Sequence, residues 1–320
     1  MIIVMKKLIA LIGIVIVAIT SCVKNNETIE EEDNKKIEES VYQNSPLLRD
    51  LSEYNTEYKS MNPETRAGQK WLRFCAVMGA DLIGVYEGCR IGVEVGVTVG
   101  GVVGHPIEGA VIGGVIAGSV CGIGASYVAS KSVSECAILS DDILFDQLYN
   151  FMTDNYSRIQ EIKESQLNKT PIANQILVPE QAIVMGALHN EGLSKLNSET
   201  LYNVTKVSNC ENLYLEQGVD KQILLNSDFR MGCKDHFALV LDAKTSPIGD
   251  SLPDKVMELY YELISGNAIT PENMVNHINS YYSIVKNSQE LTSQEKDCIY
   301  TGLSVSLFSF DYWKDHYELD

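Results

Sequence analysis

The chain has 320 residues, with 25 Lys and Arg against 43 Asp and Glu, for a formal net charge of −18. That balance argues against a nucleic-acid partner, because phosphate contacts need basic patches. At 45% hydrophobic residues the chain is long enough for one or two packed domains.

In chain order, residues 1–21 read as a secretory signal peptide, with Lys6 and Lys7 ahead of the apolar run from Leu8 to Ile19. The segment ends Ile19-Thr20-Ser21-Cys22, which resembles a lipobox. The resemblance implies that Cys22 is lipidated and becomes the mature N-terminus. Two or more acyl chains on one cysteine give stable anchoring, whereas one gives marginal binding. The alternative is an ordinary signal peptide with an incidental cysteine.

Residues 22–68 read as a lipidated acidic tether, with Glu27, Glu30, Glu31, Glu32 and Asp33 close to the lipid site. Low hydrophobicity with high charge predicts solvated chain. The acidic run resembles the surface-export signal of Bacteroidota lipoproteins. Asn62 to Gly68 reads as a turn-rich linker. Of Arg49, Arg66 and Arg73, Arg66, flanked by Pro63 and Gly68, is the best-placed site for an activating protease that cuts after arginine, and an ordinary surface charge is the alternative. The chain resembles the substrates of such bacteriocin-activating proteases in layout only.

Residues 69–136 predict a glycine-zipper helical hairpin. Gly84, Gly88, Gly92, Gly96, Gly100 and Gly104 recur at four-residue spacing, and Gly109, Gly113, Gly114, Gly118 and Gly122 follow. Each glycine costs a helix about 1 kcal/mol against Ala, so a run this regular needs a compensating gain. GxxxG supplies one by letting two helix backbones touch. Each half is on the order of the ~20 residues that cross a bilayer. His105 and Pro106 interrupt the run, where a hairpin tip belongs. Arg66, Lys70 and Arg73 before the first helix and Lys131 after the second share one cationic side, as interfacial anchors do.

Asp81 falls within the swing of the glycine stripe and fits it poorly. Glu87, Arg90 and Glu94 share the other face, and must meet water, protein or a pore. Cys75 with Cys136, and Cys89 with Cys121, have nearly equal index sums about the tip, which predicts two disulfides across the hairpin. Four buried core thiols are the alternative. Cys210 and Cys233 form the expected third pair, leaving Cys298 unpaired.

Residues 137–320 predict a separate helical domain, making the fold class all-α. Ser140-Asp141-Asp142, Pro179-Glu180, Thr270-Pro271 and Thr292-Ser293-Gln294-Glu295 mark helix starts, and Asp254 to Ile264 forms another helix ended by Gly266. HExxH, CxxC, P-loop and GxSxG motifs do not occur. The five histidines stand at no trustworthy metal spacing. Cys233-Lys234-Asp235-His236 is the nearest approach to a reactive cluster, and a disulfide and a surface loop explain it equally well. No enzyme activity, cofactor or metal is expected. Asp250-Ser251-Leu252 resembles the O-glycosylation sequon of Bacteroidota.

Two further stretches carry a resemblance. Gly186-Ala187-Leu188-His189-Asn190-Glu191-Gly192-Leu193 resembles the "LHNEGL" motif of exported proteins of unknown activity, many from gut Bacteroidota. Leu303 to Trp313 resembles their "LSVAxxSxxYW" ending, with Ser306 in place of the alanine. The run Gly109 to Gly118 is similar to zipper segments of outer-membrane lipoproteins and to the membrane hairpins of bacterial pore-forming toxins.

Together these readings lead to an expectation: a surface or secreted lipoprotein of the outer membrane that acts as an antibacterial, membrane-inserting toxin. Its hairpin hides in a soluble helical body until release, then assembles as a homo-oligomer whose lumen Glu87, Arg90 and Glu94 could line. The implied partners are membrane lipid, the target-cell envelope, an activating protease and an immunity protein. Two alternatives stand beside it: a structural lipoprotein that organises the outer membrane through its zipper, and a soluble binding lipoprotein whose zipper is only a tight core.

Overall fold

The computed structural model describes residues 44–61, 69–133, 139–197, 218–243, 246–266 and 269–317. It is all-α, and no strand occurs among the described residues. In chain order the helices are α1 (Pro46–Met61), α2 (Gln69–Val102), α3 (Pro106–Val133), α4 (Asp141–Asn155), α5 (Ile159–Lys169), α6 (Glu180–Asn197), α7 (Val219–Leu224), α8 (Ser227–Ala243), α9 (Leu252–Ser265), α10 (Pro271–Asn287) and α11 (Ser293–His316). Short 3₁₀ turns at Tyr156–Arg158 and Pro171–Gln175 flank α5.

The starts of the later helices follow local chemistry. The Ser251 side chain and Asp254 make a reciprocal capping box on α9, and Thr292 with Glu295 makes another on α11. Thr270 Oγ1 accepts the Asn273 N–H at 3.2 Å, with Pro271 as the first residue of α10. Ser140 stands at the N-cap of α4 but makes no side-chain capping bond.

The antiparallel pair α2–α3 forms the centre. Between Gly109 and Ala129, α3 carries no charge, and a helix apolar all round must be covered all round. Helices α6 and α11 cover part of the hairpin. Adding a Cβ to Gly118 would strike Met185 of α6, and Gly302 of α11 lies against Leu82 of α2. Helix α8 covers another part, with Phe237 seated on Gly124 of α3 and Gly232 against Val95 of α2. The described residues from Leu47 onward therefore form one compact unit. This corrects the division expected after residue 136, since the hairpin is the core on which the later helices pack.

The tether reading also needs correction where it is described. Pro46–Met61 is a helix that buries Leu47, Leu48, Leu51 and Asn55. Asn55 donates to Leu259 O at 2.9 Å and accepts from the Tyr281 hydroxyl at 2.9 Å. Arg49 thus lies on a docked helix. Cys22 and Arg66 lie outside the described residues, as do Cys136 and Cys210.

Candidate functional site

The site is built on the hairpin seam. A Cβ added at Gly92 would drive into the carbonyl oxygen of Gly113, and one at Gly96 into that of Gly109. The relation is reciprocal at Gly109 and Gly113, so backbone meets backbone without intervening side chains. Gly84, Gly88 and Gly100 extend the same seam. Gly114, Gly118 and Gly122 meet side chains instead: Val93, Met185 and Val85 respectively.

Gly104 has a different task from the zipper role assigned to it. Its φ is +85°, and open space surrounds the position of a Cβ. The His105 N–H donates to Gly100 O at 2.6 Å and the Gly104 N–H to Gly101 O at 3.3 Å. These are the two bonds of a Schellman stop, whose left-handed residue is best filled by glycine. His105 and Pro106 follow at the tip, and Pro106 opens α3. His105 Nδ1 lies 3.5 Å from Glu108 Oε1.

Three large apolar side chains near the tip are exposed. Val102 is 82% exposed, Ile107 77% and Val111 42%, while the hairpin shaft is buried. Among the described residues one helix, Pro106–Ser132, is long and apolar enough to cross a membrane, and 89% of its apolar window is buried within the protein. Among the described residues an apolar shaft is thus wrapped, while Val102, Ile107 and Val111 near its end are exposed. Beneath the tip lies a cavity of about 330 Å³, walled in part by Val97, Ile107 and Val111 of the hairpin and by Ala182 and Tyr300 of the body.

Three polar residues of α2 hold the shaft in the body. Asp81 is fully buried. Its Oδ2 accepts from the Ser309 hydroxyl and, at 3.0 Å, from Trp313 Nε1–H, both on α11. Its Oδ1 lies 3.6 Å from His189 Nε2 on α6, and neither of those two atoms has a hydrogen-bond partner. The Tyr86 hydroxyl donates to Asp254 at 2.7 Å, joining α2 to the capping box of α9. Glu87 is also fully buried. It accepts the Ile248 N–H at 2.7 Å and holds Arg90 at 2.8 Å. In this fold Glu87 therefore faces protein, whereas Glu94 is exposed.

The Asp81 group brings serine, carboxylate and imidazole together, but the carboxylate sits in the middle. The serine proton goes to Asp81, and no imidazole takes it, so the cluster fastens helices without activating a nucleophile. Besides Asp81, its members come from two separate stretches of the chain, Gly186–Leu193 and Leu303–Trp313. His189 and Asn190 come from one, Ser309 and Trp313 from the other, and Asn190 Nδ2 donates to Phe308 O at 2.8 Å. Gly186 leaves room for the ring of Phe308. Sequence reasoning missed this clasp. Its signal was a lone carboxylate in an apolar glycine run, with a serine and a tryptophan one helical turn apart on another helix.

The Cys89–Cys121 pairing is corrected, whereas Cys75–Cys136 and Cys210–Cys233 each include a cysteine outside the described residues. Cys75, Cys89, Cys121, Cys233 and Cys298 are all unbonded and buried. The hairpin register is close to the one expected, and Cys121 packs beside Gly88. Cys89 lies one residue off the stripe, about 100° further round the helix, so it faces α11 instead of Cys121. Cys121 has Cys233 of α8 within electrostatic reach. Cys75 Sγ contacts Ser265 O at 3.9 Å. The Cys233–His236 cluster is a stretch of helix α8, not a loop. Among the described residues no group of His, Cys, Asp and Glu could hold a metal ion. No protein-family model, curated protein or solved structure matches the chain.

Proposed function

We propose that the protein is a surface or released lipoprotein, anchored through Cys22, that inserts its glycine hairpin into the envelope of a target bacterium. The observation that carries this reading is the bare apolar tip on a wrapped apolar shaft. Exposed Val102, Ile107 and Val111 offer lipid a first contact. Entry of α3 then replaces its protein cover by hydrocarbon, while Asp81, Tyr86 and Glu87 resist release. Three such exposed apolar side chains grouped near one end of the hairpin form a candidate interaction surface. Cleavage at Arg66 to free the body from its anchor, assembly as a homo-oligomer, and a protecting immunity protein belong to the same proposal.

A soluble binding lipoprotein is the second reading, favoured by the cavity beneath the tip. The envelope-organising alternative needs a hairpin seated in the membrane at rest, and the wrapped shaft speaks for one shielded at rest. The test applies the full lipid-free chain to dye-loaded vesicles of phosphatidylethanolamine and phosphatidylglycerol, and to lawns of related strains. Dye release and growth inhibition, both cut at least tenfold by Val102→Asp with Ile107→Asp, are expected. Intact vesicles and uninhibited lawns would overturn the proposal.

A further inference from the structure

Cys89 of α2 and Cys298 of α11 stand 209 positions apart in the chain, yet their sulfurs are 2.8 Å apart. Both side chains are nearly inaccessible, at 6% and 3% exposure. Cys89 also forms part of the wall of the cavity beneath the tip, which gives a small reagent a way in. We propose that Cys89 and Cys298 are a redox couple that closes to a disulfide and cross-links the hairpin to the last helix. The assignment rests on this geometry alone and stands whether or not the hairpin inserts.

The oxidant is a low-molecular-weight disulfide, RSSR. Cys89 loses its proton and attacks one sulfur, forming a mixed disulfide and expelling RS⁻, which takes up that proton. Cys298 then loses its proton and attacks the Cys89 sulfur, expelling the second RS⁻. Two protein thiols are oxidised by two electrons, and RSSR is reduced to two RSH. Cys298 is the resolving partner. Its S–H is donated to Cys89 and it is buried, which together hold its thiol well above the ordinary range. Cys89, on the cavity wall, is the sulfur that meets the reagent.

A bond between α2 and α11 fastens the same two helices as the Asp81 clasp. It also closes a long loop, the case in which chain-entropy reasoning assigns a cross-link most stabilisation. If the hairpin does leave the body, reduction of this bond must come first.

The full chain is incubated with oxidised glutathione, blocked with N-ethylmaleimide and digested without reduction for peptide mass mapping. The expected result is a Cys89 peptide joined to a Cys298 peptide, with reduction lowering Tm by about 5 °C or more. Cys298→Ser should abolish both the joined peptide and the response of Tm to reductant. Recovery of both wild-type peptides as alkylated thiols, or of Cys89 joined to Cys121, overturns the assignment. The wild-type map decides even if the variant fails to fold.

Discussion

Asp81 lends itself to paired substitutions. Asp81→Ala leaves the Trp313 N–H and the Ser309 hydroxyl buried without an acceptor, and should cost roughly 3–5 kcal/mol of stability. Asp81→Asn keeps one acceptor oxygen and should cost only about 1–2 kcal/mol. Urea midpoints at unchanged m-value measure both, and equal small losses would remove the clasp from the account. The residue also shows where reading the chain stops. Its misfit within the glycine stripe was visible, but its partners were not, because Ser309 and Trp313 lie more than two hundred residues away. The cysteines teach the same lesson at finer grain. Index sums locate two helices along a hairpin, but a rotation of one residue decides which neighbour a thiol meets.

At the scale of the element, the seam and its end should respond oppositely to added bulk. Gly96→Leu forces side-chain volume into the backbone of Gly109, and should cost roughly 3 kcal/mol or more. Val97→Leu, on a partly exposed position, should stay within about 0.5 kcal/mol. Gly101→Ala meets open space on a helical residue and should stabilise by roughly 0.5–1 kcal/mol. Thermal melts of the three variants rank these effects, and a destabilising Gly101→Ala would show that the seam extends to the tip. The contact between α1 and α10 carries a separate response, to pH. His277 is buried beneath Tyr54 and Tyr58, with Nδ1 at 2.8 Å from the Tyr54 hydroxyl. Burial pushes its pKa down to about 4. In the unfolded chain the imidazole binds a proton near pH 6.5, so between pH 6.5 and 4 the unfolded state holds more protons and stability falls as pH falls. The loss should reach roughly 2–3 kcal/mol at pH 4. His277→Gln should flatten that part of the curve, as read by denaturation at each pH. The helix starts were legible because caps are local chemistry. Helix α1 was not, because acidic composition outweighed Leu47, Leu48 and Leu51, and the partners of Asn55, Leu259 and Tyr281, lie more than two hundred residues away.

For the whole molecule, the glycine run was legible as a close-packed hairpin, and the all-α class followed from the caps and the want of alternating patterns. The division into hairpin and body was not legible. The composition shift near residue 136 looks like a boundary, yet α11, far beyond it, is buried as fully as the hairpin it packs on. A fragment of residues 137–320 should therefore lack a cooperative thermal transition and bind hydrophobic dye, whereas residues 44–320 should melt in one step. A sharp melt of the shorter fragment would restore two domains.

The seam between α2 and α3 has a consequence for behaviour in different solvents. Cohesion there comes from backbone contact, with little side-chain surface withdrawn from water, whereas the outer helices are held largely by exclusion of water. A change from aqueous to hydrocarbon-like surroundings therefore removes the second force and spares the first. In a mild detergent, amide exchange should accelerate along α6, α8 and α11 while the amides of Gly92, Gly96, Gly109 and Gly113 stay protected. The hairpin is in this sense a phase-independent part, able to keep its shape in either medium while the rest of the protein is committed to one.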